Sequence, residues 1–530
     1  MVVLAHEPSG FEGRLVFVEV DIRRGIPGVD LVGLAAGAVR EARERVRAAV
    51  RNSGFEFPLD RVLINLAPAD LPKEGAAYDL PIAVAVLGAA GAVPDPGHPV
   101  LILGELRLDG TVRPVRAVLP AVAAALAAGV DRFLVPGGNA AEARAVGRGR
   151  VYPVDTLAEA PVMLALMRDG APPLPASADE TRSSAVPGDL HESRGDFAEL
   201  KGQGRLRRAL EIAAAGGHNV LLLGPPGSGK TMAARRFPGL LPDLAEEEAV
   251  GVASVYSLAG LLGAEGDGVR ADRAGGSAAR AALDRRPPFR SPHHSASLEG
   301  MIGGGRSLRP GEISLAHKGV LFLDEAAEFR SDVLQALREP IEEARVSLVR
   351  AGSVARFPAE FQLVMAANPC PCGSLGRRGR PCLCSPQELQ RYRRKLGGPL
   401  LDRIDLRVPV EPAPPADLLG PPGESSASMR ARIGAAIRAQ ERRYRGRGFS
   451  RNARLMPEDV EAWCRLEGES ARAFGKAVDK LSLSSRACHS ILKVARTIAD
   501  IDGLESIAAE HVLEAVQHRR LGDADEVWTD

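Results

Sequence analysis

Two short stretches of this 530-residue chain carry residue types at spacings that do chemistry. The first is GPPGSGKT, Gly224 to Thr231, which directly follows the apolar run VLLL. Gly224, Gly227 and Gly229, with Pro225, Pro226 and Ser228 between them, let backbone N–H groups close around phosphate oxygens at a helix N-terminus. Lys230 brings charge for the β- and γ-phosphates, and Thr231 brings a hydroxyl for Mg²⁺. Strand, loop and helix in that order make this a Walker A pattern, so ATP and Mg²⁺ are the expected cofactors. The second stretch, NPCPCGSLGRRGRPCLC, residues 368–384, holds four of the six cysteines as two Cys-x-Cys pairs. Cys370, Cys372, Cys382 and Cys384 on two close turns satisfy tetrahedral Zn²⁺ at about 2.3 Å per bond, with no position left open for catalysis. A structural zinc is expected, although Cys-x-Cys is tighter than the common Cys-x₂-Cys. Buried free thiols and disulfides are the alternatives. Four cysteines in a polar Gly/Pro/Arg-rich loop are too many for core packing, and a reducing compartment disfavours disulfides.

Two further apolar runs end in polar residues suited to the same site. GVLFLDEAAEF delivers Asp324 and Glu325 to the carboxyl end of a buried strand. There an aspartate can hold the metal and a glutamate can orient the attacking water. Taken alone, the same residues could cap a helix. FQLVMAAN brings Asn368 to the same sheet edge, where its amide can place water against the γ-phosphate; a turn residue is the alternative.

Positioning these residues takes several domains. A chain of this length exceeds a single core. Residues 168–195 and 411–428 are rich in Pro, Ser, Ala and acidic residues without apolar periodicity, so both read as linkers. They divide the chain into 1–167, 196–410 and 429–522, with a tail at 523–530. The first block mixes strand-like runs (RLVFVEVDI, RVLINLAP, VLILGEL, RFLVP) with Ala-rich helical ones, and the third is helical. The fold class is α/β. Hydrophobic content of 45%, charged content of 25% and a net charge of +1 give no global field for nucleic acid, so any such site must come from local arginine clusters. No uncharged apolar run reaches 18 residues and no secretory leader pattern opens the chain, so a soluble cytoplasmic protein without a membrane span is expected.

With those motifs in place, the chain resembles the magnesium-chelatase-like, helix-2-insert branch of the AAA+ ATPases, and within it the ComM/YifB family. The resemblance rests on FRSPHHSASLEGMIGGGRSLRPGEISLAHKGVLFLDE, LQALREPIEEARVSLVRAGSVARFPAEFQLVMAANPCPCG and GPLLDRIDL, in family order. It implies a central AAA+ P-loop domain and a C-terminal helical lid. It also implies Asp324 and Glu325 as Walker B, Asn368 as sensor 1, Arg403 as an arginine finger and Arg486 as sensor 2, with structural salt bridges as the alternative for both arginines. A finger that acts in trans needs a ring, and the resemblance suggests a homo-hexamer.

The resemblance further implies an ATP-driven motor on DNA, a helicase that migrates branches in recombination during natural transformation. A chelatase-type motor that remodels a protein partner for cofactor insertion is the alternative. Arg345, Arg350 and Arg356 surround a candidate hairpin suited to phosphate contacts with branched or single-stranded DNA, although an ordinary solvated hairpin has the same composition. Arginines also cluster in GRRGR (376–380), RYRRK (391–395) and RAQERRYRGRGFSRNAR (438–454). In the last, Tyr444 and Phe449 could add base stacking, with a solvated face as the alternative. Residues 1–167 resemble the Lon protease domain, an α+β fold. The position of the Lon serine is Ala77, in PKEGAAYD, and that of the Lon lysine is Leu119, in VRAVLPA. Neither can attack a carbonyl or move a proton, so the domain is expected to keep the fold without peptidase activity.

Overall fold

The computed structural model describes residues 1–33, 37–172, 195–262, 283–305, 308–350, 353–375 and 380–520. Most of the expected 168–195 linker, the tail, residues 376–379 of GRRGR and the hairpin tip Ala351-Gly352 lie outside the described residues.

The N-terminal unit is built on a mixed seven-stranded sheet. Its strands are β1 (Val3–Glu7), β2 (Arg14–Arg23), β3 (Gly28–Val32), β4 (Arg61–Ala67), β5 (Val100–Ile102), β8 (Arg132–Pro136) and β9 (Arg150–Val154), in the order β3-β4-β2-β1-β5-β8-β9. Two-residue strands β6 (Glu105–Leu106) and β7 (Val112–Arg113) form a separate ribbon. In β2 and β4 the alternation is plain: Val16, Val18, Val62, Ile64 and Leu66 are buried. The helix Asp79–Ala89 is apolar all round and buried along most of its length against this sheet. β1, β3 and β9 are short and gain their strand character from pairing: β1 between β2 and β5, β3 alongside β4, β9 alongside β8.

The central unit carries a five-stranded sheet in which every pairing is parallel. Its strands are β10 (Val220–Leu223), β11 (Phe289–Arg290), β14 (Val320–Leu323), β17 (Gln362–Ala367) and β18 (Leu406–Pro409), in the order β11-β14-β17-β10-β18. VLLL and VLFL are continuous apolar runs because helices cover both faces of a parallel sheet. Two antiparallel pairs are inserted between these strands: β12 (Gly303–Gly304) with β13 (Arg309–Pro310), and β15 (Arg345–Arg350) with β16 (Ser353–Pro358).

Among the described residues after 425 there are five α-helices: Ser426–Arg443, Pro457–Trp463, Gly468–Leu481, Ser485–Ile501 and Ala509–Arg520. Their core is continuous with the central one through residues such as Leu222, Phe237, Ile433 and Ile498. The Pro-rich stretch 411–428 is held down rather than loose. It contains the helix Pro415–Leu419, Gln203 Nε2 donates to Glu411 O (2.6 Å), and Gly423 N donates to Ala198 O (2.7 Å).

The N-terminal unit docks on the central one. Leu119 is fully buried with Leu244, Val252 and Val255 around the helix Glu246–Ala259. Ser257 of that helix donates to the buried carboxylate of Glu142, which also accepts from Asn139 and from Leu119 N. Phe11 N donates to Arg356 O (2.9 Å), which ties the β1–β2 turn to the β15–β16 hairpin.

Candidate nucleotide site and its surroundings

The sheet order explains the site. β10, β14 and β17 are adjacent and parallel, so residues that follow their carboxyl ends gather at one edge. After β10, the loop turns through Gly227 (φ +80°) and Gly229 (φ +95°) into the helix Lys230–Arg236. A Cβ on Gly224 would stand 2.1 Å from Val410 O, so the loop closes only without a side chain there. Gln203 Nε2 props the loop from behind by donating to Ser228 O (3.2 Å).

Lys230 Nζ donates to Gly224 O (2.6 Å), Pro225 O (2.9 Å) and Asn368 Oδ1 (3.4 Å). Burial lowers its pKa, and Asp324 and Glu325 act in the opposite sense. Thr231 Oγ1 donates to Asp324 Oδ2 (2.8 Å), which places two oxygen ligands suited to Mg²⁺ side by side. Glu325 follows with its backbone in the left-handed region (φ +49°), a costly conformation for a non-glycine residue. Lys230, Thr231, Asp324, Glu325 and Asn368 thus form one constellation. His294 joins it, with Nδ1 3.8 Å from Glu325 Oε2. It stands in SPHHSAS, four residues past the end of β11, and its place beside Glu325 depends on β11 pairing with β14.

Arg403 and Arg486 lie elsewhere. Asn219, just before β10, donates through Nδ2 to Arg403 O (3.2 Å), so Arg403 sits at the amino edge of the sheet. That is one strand, about 13 Å, from the phosphate loop. Arg403 Nη2 approaches Glu342 Oε1 at 2.8 Å, and Arg486 is ion-paired with the same oxygen. Glu342 had no motif to mark it.

The cysteines come together. All four Sγ atoms lie within 4.8 Å of one another, with Cys370–Cys372 at 3.4 Å and Cys372–Cys382 at 3.6 Å. The edge of a zinc–tetrathiolate tetrahedron is about 3.8 Å, so the donor set fits that metal. The Ser374 N–H foremost, with the neighbouring thiols, lowers Cys372 to about 6, while burial foremost raises Cys370 and Cys384.

The arginine clusters divide. Arg345 and Arg356 are exposed on one face of the β15–β16 hairpin, and Val346, Leu348, Ala355 and Phe357 are buried on the other. Arg345 pairs with Glu343 at 2.8 Å. Arg350 ends β15 opposite Ser353, and its side chain is outside the described residues. The aromatic residues of 438–454 do not offer a stacking surface. Tyr444 is buried, donates to Asn452 Oδ1 (2.7 Å) and packs on Phe449 and Trp463, while Arg443 pairs with buried Asp500. Aromatic residues among arginines here fill a core, because a helix end and the loop after it fold over the helix Ser485–Ile501.

Comparison with known proteins gives the family of the chain. The model described as magnesium chelatase, subunit ChlI, matches residues 196–418; subunit ChlI of Mg-chelatase matches 18–139; and the subunit ChlI C-terminal model matches 423–519. The chain is 42% identical over 516 residues to YifB of Escherichia coli (strain K12), which covers 97% of this chain and 95% of that protein. It is 40% identical over 529 residues to the competence protein ComM of Haemophilus influenzae, with 98% and 97% covered. The N-terminal region is similar to the Lon protease of Geobacter metallireducens, 27% identical over 143 residues, 26% of this chain and 17% of that protein.

Proposed function

The chain belongs to the magnesium-chelatase-like AAA+ ATPases, in the family of YifB and ComM, and from that premise we propose that it is an ATP-driven ring motor on DNA. Its most specific form is a cytoplasmic branch-migration helicase that acts in recombination during natural transformation. The observation that carries this reading is the near-full-length match to a competence protein, N-terminal unit included.

In this reading the backbone of Gly224–Thr231 and Lys230 bind the phosphates of ATP. Thr231 and Asp324 would hold Mg²⁺, which neutralises phosphate charge when bound. Glu325 orients and deprotonates the attacking water, and Asn368 fixes that water against the γ-phosphate. Arg403 and Arg486, at the other edge of the sheet, serve the nucleotide of a neighbouring subunit, which requires a closed ring and favours a hexamer. Arg345, Arg350 and Arg356 contact DNA phosphates from the hairpin. The four cysteines would hold a structural Zn²⁺ and fix the GRRGR loop. The N-terminal unit is a scaffold without peptidase activity: Ala77 has no nucleophile, and Leu119 is spent on the docking interface.

ATP hydrolysis with and without forked DNA, at low salt, tests the reading. Stimulation by forked DNA, with strand exchange on a labelled junction, is the expected result. No stimulation by any DNA would sink the motor-on-DNA reading and favour remodelling of a protein partner, as in the chelatases.

A further inference from the structure

One carboxylate joins three parts of the molecule that a ring motor would have to coordinate. Glu342 belongs to the helix Arg338–Glu343, which leads directly into β15 of the hairpin. Its Oε1 receives Arg403 from the segment before β18 and Arg486 from the start of the helix Ser485–Ile501. Two guanidinium groups on one oxygen would repel each other without that charge. The Arg403 side chain is only 10% exposed, its Nη1 is bound to Pro399 O (2.6 Å), and its Nε is buried without a partner. Glu342 and Arg486 are nearly half exposed, at 43% and 45%. Burial works against the Glu342 carboxylate, but Arg486 and Arg403 hold it below the usual carboxyl range.

We propose that Glu342 is a positioning residue: a stand-in anion that keeps Arg403 and Arg486 converged until a neighbouring subunit's nucleotide phosphate takes its place. Two arginines already aimed at one anion form a clamp for phosphate, which offers more charge and more acceptor oxygens than a carboxylate. The Arg486–Glu342 pair is half exposed on both sides and therefore individually weak, so that side of the clamp is released and re-formed easily in a cycle. Release of Glu342 frees the base of the hairpin, so occupancy of the neighbour's site is passed to the element that faces DNA. The proposal rests on the reading of Arg403 as a finger acting in trans.

The test measures specific ATPase activity against protein concentration for the wild-type chain, Glu342→Gln and Glu342→Asp. With the competitor neutral, Glu342→Gln should reach half-maximal activity at about five-fold lower protein concentration, with kcat at saturation within about two-fold, the scale of a surface-type ion pair. Glu342→Asp keeps the charge and should stay near wild type. A purely structural role would lower kcat and thermal stability without lowering that concentration, and this result would overturn the proposal. A second measurement needs no variant: with a non-hydrolysable ATP analogue, hydrogen exchange of wild-type peptides across residues 338–350 should speed up on assembly. Unchanged or slower exchange overturns the proposal. Mixed Arg403→Ala and Lys230→Ala subunits separate the two layers. If they regain activity together while Glu342→Gln shows no shift, the finger stands and the stand-in falls. If they do not, in subunits shown to co-assemble, both fall.

Discussion

Lys230 spends its three donors inside its own loop and on Asn368, so the loop carries a preformed positive charge held in place by carbonyls. Lys230→Ala should abolish binding in a fluorescent-nucleotide titration. Glu325→Gln should bind ATP normally and hydrolyse it about 10²-fold or more slowly, the scale of a lost general base. Turnover at the normal rate in Glu325→Gln would remove the base assignment. Another carboxyl makes a pH-dependent case. Burial foremost raises Glu7 from its ordinary 4.5 to about 7, while it accepts from Tyr78 Oη (2.6 Å) and Glu74 N (3.0 Å). Between those pH values the folded chain keeps a proton that the unfolded chain has released, so stability falls as pH rises through that window. Glu7→Gln keeps an acceptor without the charge. It should stabilise the N-terminal unit by about 1–3 kcal/mol at pH 8 and leave it near wild type at pH 4. Denaturant melts at the two pH values check this, and an equal effect at both would reject it.

Among elements, the segment from Asn368 to Cys384 joins a core strand to a loop with little core of its own. Cys370 is buried at the end of β17, and Cys372 is exposed. Metal analysis of protein purified without chelator should find about one zinc per chain. Cys382→Ser with Cys384→Ser should release it, and should weaken DNA binding or assembly more than nucleotide binding. Active protein without metal, together with a double variant that behaves as wild type, would end the zinc assignment. The lid is attached in a different way, through buried polar contacts. Ser490 donates to Asp405 Oδ1 (2.6 Å), His218 bridges Asp405 and Thr497, and Asn452 donates to Asp500. Burial would raise the Asp405 carboxyl, but His218, Ser490 and Lys493 hold it at about 2. Such a network keeps a fixed geometry because any displacement strands buried polar groups.

In the whole molecule, Arg403 and the phosphate loop lie at opposite edges of one sheet, the separation behind the proposal of a finger in trans. Arg403→Ala should bind ATP but lose turnover. Mixed with Lys230→Ala at equal amounts, it should recover part of the wild-type rate, because some shared sites then pair an intact loop with an intact finger. No recovery, in subunits shown to co-assemble, would argue against a finger in trans. The N-terminal unit is tied to the central one at the helix Glu246–Ala259 and, through Phe11 N, at Arg356 O of the hairpin.

The sequence by itself determined the parts whose chemistry depends on neighbours along the chain. GPPGSGKT needs only a strand before it and a helix after it. VLFLDE and FQLVMAAN end buried runs in polar residues, and CPC…CLC brings thiols together through short loops. The helices of 457–520 were legible from apolar spacing, and Ala77 and Leu119 from what the Lon positions lack. Only the tertiary structure decided what depends on distant pairing. β1, β3 and β9 have few residues and are strands because of their partners. Tyr444 and Phe449 look like a stacking surface until Tyr444 is buried against Trp463 and Asn452, with Phe449 half-buried beside it. His294 meets Glu325 only because β11 lies beside β14. Glu342, one of many exposed glutamates in the sequence, receives two arginines 61 and 144 residues further along the chain. An ion pair leaves no local pattern, because charge acts through space and not along the chain.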